Sequence, residues 1–413
     1  MSVPRPNPIR PSFWVREADQ IDADLAEIRA AGPQFFEEPV PPVGIGLSHG
    51  PGAWVLTKHR QILVASKNPR TFSSAAGIVV TDVPAEFNEF YSSMIAMDDP
   101  RHARLRRIVS KGFTPRIMAR LEEKVASVTA DILRVAQEKE QLDFVVDVAA
   151  ALPLRIVCDL MGIPNSEYQF VFDRTNVILG VGDPEYFPES GDIVTAVLTA
   201  GGDLAELMNT VAATKRGGDG TDLTSQLVNA CLEEDELSPA DLASFFILLV
   251  VAGNETTRNA SSWGMKYLAD NPDQRQRWTN DFDGLAGTAV EEIVRLASPV
   301  TYMRRTLLRN TIVDSVEMHQ GDKVLLNYLA ANRDPDVFAD PLRFDVGRTP
   351  NPHVGFGGPG PHFCLGAHLA RMEITELFRQ IFTRLPNLHV TGEPDLLEAS
   401  FIHGIKHMQA STR

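Results

Sequence analysis

A cysteine, Cys364, sits in the stretch Phe356-Gly-Gly-Pro-Gly-Pro-His362-Phe-Cys364-Leu-Gly366, and a helix-like run, Ala367-His-Leu-Ala-Arg-Met-Glu373, follows at once. Glycines such as Gly358 and Gly366 let the backbone come close to something flat and large. Loop amides can point at the sulfur, and a helix N-terminus nearby favours a thiolate over a thiol. A thiolate held in this way suits the axial position on haem iron, where it pushes electron density onto the metal and favours O–O cleavage. A free cysteine is also commonly a small buried hydrophobe, so the loop alone leaves both readings open. The glycines at 355, 357 and 360 spell a dinucleotide fingerprint, but no clean apolar strand precedes them. Pro359 and Pro361 also remove amides that a pyrophosphate would need.

Three further constellations lie upstream. In Phe245-Phe-Ile-Leu-Leu249-Val-Val-Ala252-Gly253-Asn-Glu255-Thr256-Thr257 the first half is apolar all round, as in a buried helix. A mid-helix glycine, an acid and two threonines follow. A threonine hydroxyl bonding the carbonyl four residues back can open a helix locally, and such a groove could hold O₂ and a water and deliver protons. The alternative is a helix that simply emerges into solvent after Ala252. Glu292 and Arg295, spaced i, i+3, share a helical face. Such pairs are usually superficial, and a functional role needs a third partner, for which Arg343 in Pro341-Leu-Arg-Phe344 is the candidate. A carboxylate gripped by two guanidiniums would pin the irregular 331–363 segment and fix the cysteine loop. Finally, His102 and Arg106 fall on one face of a basic helix. With Arg305 and His362 they could clamp two carboxylates of a cofactor, unless the run is only a solvated face. Arg101, Arg104, Arg107 and Lys111 extend it into a basic patch that could steer an acidic protein partner.

These residues need a large, mainly helical body with small sheets. The 413 residues, 44% hydrophobic and 23% charged, suit a globular protein, and a net charge of −15 argues against nucleic-acid binding. Three cysteines (158, 231, 364) have neither zinc nor disulfide spacing, which fits a reducing compartment. The proline-rich start has no apolar signal core, and the longest apolar run, 245–252, is too short to span a membrane. A cytoplasmic protein without a transmembrane anchor is expected, so the sequon at Asn254 is a decoy. Ala53–Thr57 alternates as a strand does, and 76–100 reads as loop. Residues 104–230 are helical with breaks at Pro115, Pro153, Pro164 and Pro184. Ser238-Pro starts a long helix running past Thr257. Another helix covers about 283–297, residues 300–330 hold strand-like pieces, and a last helix follows Cys364. One domain over 1–413 is expected.

Four weak signals thus occur in one order: His102-x-x-x-Arg106, Ala252-Gly-x-Glu-Thr256, Glu292-x-x-Arg295 and the cysteine loop. Together they resemble the cytochrome P450 family of haem-thiolate monooxygenases over essentially the whole chain. The resemblance implies that family's mostly helical fold with a long central helix over haem b, and Cys364 as the iron ligand. It implies Glu255 and Thr256 as the acid–alcohol pair, Glu292, Arg295 and Arg343 as the structural triad, and His102, Arg106, Arg305 and His362 as propionate partners. Phe356, Gly358, Gly366 and Ala252 would border the cofactor. One departure stands out: the family's usual phenylalanine lies seven residues before the cysteine, where this chain has Gly357, with Phe356 one residue further away. The stretches Thr175–Asp183, Ser244–Asn259, Tyr302–Thr306 and Phe401–Lys406 look like mycobacterial members that oxidise methyl-branched and isoprenoid lipids near the chain terminus. That likeness implies a ferredoxin and its reductase as electron donors. It also implies a pocket formed by Leu249, Ala252, Gly253, Val300, Thr301, Met303 and Phe401, entered over 76–97 and 174–190. A sterol side-chain hydroxylase and a non-turnover haem sensor or lipid carrier are the competing readings, and a sensor has no need of an acid–alcohol pair.

Overall fold

The computed structural model describes residues 6–40, 49–110, 115–179, 185, 193–229 and 237–413. Cys231, Lys111, Pro184 and most of 180–192 therefore lie outside the described residues. The described chain gathers into two compact units, and neither is contiguous in sequence. The first comprises residues 1–83, 259–364 and 389–409, the second 84–258, 365–388 and 410–413.

A five-stranded sheet organises the first unit, in the order Gln34–Phe36, Ala53–Leu56, Lys323–Asn327, Tyr302–Leu307, Phe72–Ser73. Only the pairing of Ala53–Leu56 with Lys323–Asn327 is parallel. Successive side chains on a strand point to opposite faces, and both faces of this sheet are covered. Ala53, Val55, Tyr302 and Leu325 join one apolar cluster with Trp14 and Leu25. Leu56, Leu307, Val324 and Leu326 join another with Ile62 and Tyr328. The doublet Arg304-Arg305 is consequently split. Arg305 lies on the face of Met303 and Leu307, whereas Arg304 lies on that of Tyr302 and turns to Asp82 at 2.6 Å. Lys323 joins this second pair through Asp82, 2.8 Å away, and through the buried Glu38.

Partial burial pushes the Asp82 carboxyl up, but hydrogen bonds from Lys323 and Arg304 outweigh it and hold the carboxyl below its usual value. A depressed carboxylate stabilises the fold above its unfolded pKa and loses that contribution as pH falls through the folded one. The cluster should accordingly weaken only in acid. Lys323→Met strands the buried Glu38 at every neutral pH and is expected to cost about 3–5 kcal/mol. A urea midpoint at pH 7 equal to that of the parent would refute this.

Helices build the second unit. Pro115–Gln137 packs along Ala367–Arg384, Gln380 Nε2 donating to the Ala126 carbonyl at 2.8 Å and Gln137 Nε2 to that of Arg384 at 2.8 Å. The long helix runs from Pro239 to Asp270, its part through Arg258 belonging to this unit. Its start is the expected cap. Ser238 Oγ accepts the Asp241 amide at 3.0 Å, and the Asp241 carboxylate accepts from the Ser238 hydroxyl at 2.8 Å.

Two expectations about elements need correction. Residues 76–100 are not all loop, because Ala85–Ser92 is helical and a 3₁₀ turn covers Ser93–Ala96. That helix is set by contacts distant in sequence. Tyr91 donates to the Val197 carbonyl at 2.7 Å, its ring fills the space a side chain at Gly201 would take, and Ser244 donates to the Glu89 carbonyl at 2.9 Å. Pro153 does not break a helix. It occupies the first turn of Ala151–Met161, just after the π-helical stretch Val145–Ala149, so the chain changes helix type there without leaving helical geometry. Among the described residues one helix, Pro239–Asp270, is long and apolar enough by length and composition to cross a membrane, but 61% of its most apolar stretch is buried inside the protein.

Candidate active site

The cysteine loop closes on itself. The Cys364 amide donates to the Phe356 carbonyl at 3.0 Å, the Phe363 amide to that of Gly360 at 3.2 Å, and the Gly357 amide to that of Val354 at 2.9 Å. Gly357 takes φ +86°, a left-handed conformation that glycine adopts without a steric penalty. The turn at Gly357 directly follows Phe356, whose carbonyl accepts the Cys364 amide. His362 Nε2 lies 3.2 Å from Ser74 Oγ, and the buried Arg305 donates to the Arg304 carbonyl at 2.7 Å.

The two described cysteines are chemically unlike. Cys158 is fully buried, and burial, helped by Asp159, pushes its thiol up to about 12, so it stays protonated. Cys364 is exposed, and the helix Ala367–Arg384 begins three residues later. Among the described residues no group of three or more His, Cys, Asp or Glu is placed to hold a metal ion. The donor set is therefore one accessible soft thiol in a glycine–proline loop, which fits an iron already held in a macrocycle and needing a single protein ligand.

The loop hangs from a saturated ionic cluster. Glu292 and Arg295 are both wholly buried and form a bidentate pair, Nε to Oε2 at 2.7 Å and Nη2 to Oε1 at 2.8 Å. Arg295 also donates to the carbonyls of Asn332 (2.8 Å), Pro341 (2.7 Å) and Arg343 (3.2 Å). The third cation is not Arg343, whose exposed side chain leaves only its carbonyl in the cluster. It is Arg348, with Nε 2.9 Å from Glu292 Oε1 and its other nitrogens on the carbonyls of Ala339, Asp340 and Arg343. The turn in which the Arg343 amide bonds the Asp340 carbonyl presents the backbone of 343 inward, and the chain needs five more residues to bring a guanidinium round. The Asp345 amide and Asn351 complete the carboxylate's partners, each at 3.1 Å.

In the second unit, the long helix keeps α geometry through Gly253–Thr257, so the local opening anticipated there is absent. Thr256 Oγ1 does donate to the Ala252 carbonyl at 2.7 Å. Nor does the helix emerge into solvent, since Asn254, Glu255, Thr257 and Arg258 are buried. Leu249, Gly253 and Thr256 are half-buried and Ala252 is exposed, which makes one accessible stripe of four residues at helical spacing. Glu255 is ion-paired with Arg258 one turn on, a partner legible as i, i+3 but not foreseen. His102 is buried with Nδ1 3.4 Å from Asp99 Oδ1. Burial lowers its pKa, a tendency that the Asp99 hydrogen bond opposes. Arg106 is half-buried one turn further on.

The remaining expected lining residues belong to the first unit. Thr301 is buried, its amide donating to the Phe401 carbonyl at 2.9 Å, and Phe401 stacks edge-on to Tyr302 at 5.5 Å. Val300 bridges to Ile402, and both Val300 and Met303 are partly buried against the second apolar cluster.

The cysteine loop of the first unit and the helix stripe of the second each carry residue types that haem-thiolate oxygenases use. Residues 202–401 match the model of the cytochrome P450 family. The chain is 46% identical over 398 residues to a methyl-branched lipid omega-hydroxylase of Mycobacterium tuberculosis, covering 95% of this chain and 91% of that one. It is 37% identical over 391 residues to a steroid C26-monooxygenase of Rhodococcus jostii, covering 94% and 80%. The solved Mycobacterium marinum cytochrome P450 CYP268A2, in complex with pseudoionone, superposes with a TM-score of 0.91 at 37% identity, covering all of both chains. The chain belongs to the cytochrome P450 family. It has that fold, it is a monooxygenase, and its cofactor is haem with cysteine-ligated iron.

Proposed function

We propose that the protein hydroxylates a hydrophobic lipid, a methyl-branched or isoprenoid chain, near its terminus. The observation that carries this reading is the 46% identity, sustained over 95% of the chain, to the omega-hydroxylase. Cys364 is the iron ligand, and the 413 residues act as one catalytic domain. His102, Arg106, Arg305 and His362 hold the propionates. Bound haem supplies O₂ activation and the insertion of one oxygen atom into a C–H bond. The chain's own residues do the rest. Leu249, Ala252, Gly253, Val300, Thr301, Met303 and Phe401 exclude water from the lipid. Thr256 holds a proton at Oγ1, and Glu255 passes protons to it when its carboxylate leaves Arg258. Electrons come from a ferredoxin and its reductase, with the basic residues 101–111 as the docking face, and the enzyme works soluble in the cytoplasm.

The first test is a Soret titration of the ferric enzyme with a methyl-branched isoprenoid lipid, a linear fatty acid of equal length and a sterol with a branched side chain. A high-spin shift with the branched lipid supports the reading. A shift with the sterol alone favours the second reading, sterol side-chain hydroxylation, which the 37% identity to a steroid C26-monooxygenase supports. A shift with the linear acid alone refutes both. Thr256→Ala is expected to keep consuming reductant while releasing peroxide in place of product. Product yield per electron equal to the parent's would remove Thr256 from proton delivery.

A further inference from the structure

Two glycines of the cysteine loop close on one residue of another element. A side chain at Gly358 would run into the Oγ and Cβ of Ser66, with the Ile62 carbonyl 3.5 Å away. A side chain at Gly360 would run into the carbonyl oxygen of Ser66, with its carbonyl carbon at 3.0 Å and the Lys67 amide at 3.6 Å. Ser66 is the last residue of the helix His59–Ser66, and all these atoms belong to the first unit. The Ser66 hydroxyl is buried, yet among the described residues it has no hydrogen-bond partner. Hydrogen bonding within the described protein does not account for a serine here. Size does. The space between the helix end and the loop admits a side chain of two heavy atoms only because the loop has no Cβ at 358.

We propose that Ser66 is the positioning residue for the cysteine loop: Gly358 and Gly360 seat on it, and the size of the side chain at 66 sets where the loop, and with it the Cys364 sulfur, comes to rest. Backbone hydrogen bonds close the loop internally, from Cys364 to Phe356 and from Phe363 to Gly360. A displacement at 358–360 is therefore passed to Cys364 and is not absorbed between them. Ser66 touches no reacting atom and acts only through the loop. The proposal rests on the reading of Cys364 as the iron ligand.

The two glycines differ in a way that makes the test sharp. The obstacle at 358 is a side chain, which Ser66→Gly removes. The obstacle at 360 is main chain, which no substitution at 66 removes, and the φ of +158° at Gly360 disfavours any side chain there in its own right, so the rescue at 358 is the arm that decides. The experiment compares the reduced CO spectra of holoenzymes carrying Gly358→Ala, Gly360→Ala, Ser66→Val, Ser66→Gly and the two double variants with Ser66→Gly. Gly358→Ala and Ser66→Val are expected to lose thiolate-type band in favour of the thiol type. Ser66→Gly should restore the band to Gly358→Ala and fail to restore it to Gly360→Ala. If Gly358→Ala yields no holoenzyme, recovery of holoenzyme in its double variant is the supporting result. A full thiolate band in Gly358→Ala, or no recovery in its double variant, overturns the proposal. A Cys364→Ser control separates the two claims, since a thiolate band surviving there defeats the ligand assignment and not the role of Ser66.

Discussion

Cys364→Ser is expected to abolish the thiolate-type band of the reduced CO complex and, with it, all monooxygenase turnover. A serine hydroxyl stays protonated near neutral pH and cannot supply the electron push that a thiolate gives to iron. The companion variant Cys158→Ala should leave the band unchanged, because that thiol is buried in the helix Ala151–Met161 and kept protonated by its surroundings. The pair of spectra decides between the described cysteines. A band lost in Cys158→Ala and kept in Cys364→Ser would reverse the assignment.

The second large effect concerns two arginines five residues apart. Arg348→Ala should destabilise the fold by about 3 kcal/mol, because Glu292 loses one charged hydrogen bond and three carbonyls lose their donor while Arg295 still pairs the carboxylate. Arg343→Ala should change stability by no more than about 0.5 kcal/mol, as exposed substitutions do. Urea unfolding of both variants, with haem retention read in the same samples, checks this. Equal midpoints would mean that the buried carboxylate does not depend on Arg348. Glu292→Gln should resemble Arg348→Ala, since a neutral amide faces the buried Arg295 and the half-buried Arg348 with one acceptor oxygen in place of two.

What the sequence disclosed follows from how local each signal is. The Ser238 cap, the apolar run after it and the break before Cys364 are short-range, and all three appear where spacing and side-chain chemistry placed them. Pairs at i, i+3 and i, i+4 were equally legible, as Glu292 with Arg295 and Thr256 with the Ala252 carbonyl illustrate. The failures are long-range. Arg343 and Arg348 both lie in an aperiodic segment, and only the turn at Asp340–Arg343 decides which guanidinium reaches Glu292. The helix Ala85–Ser92 is held by Tyr91 and by Ser244, residues whose partners lie about a hundred positions or more away, so its own spacing said little. Ser66 carries no motif at all. It becomes visible only when two glycines nearly 300 residues downstream are found resting on it.

Arg295 has one further consequence, for how this chain can be changed. A guanidinium has five N–H donors, and the five bonds to Glu292, Asn332, Pro341 and Arg343 use every one of them. Lysine has three donors radiating from a single atom and cannot reach the same acceptors. Position 295 therefore has an alphabet of one letter. A saturation library there should return arginine alone among folded, haem-loaded clones, and redesign of the enzyme for another lipid must treat this residue as part of the backbone.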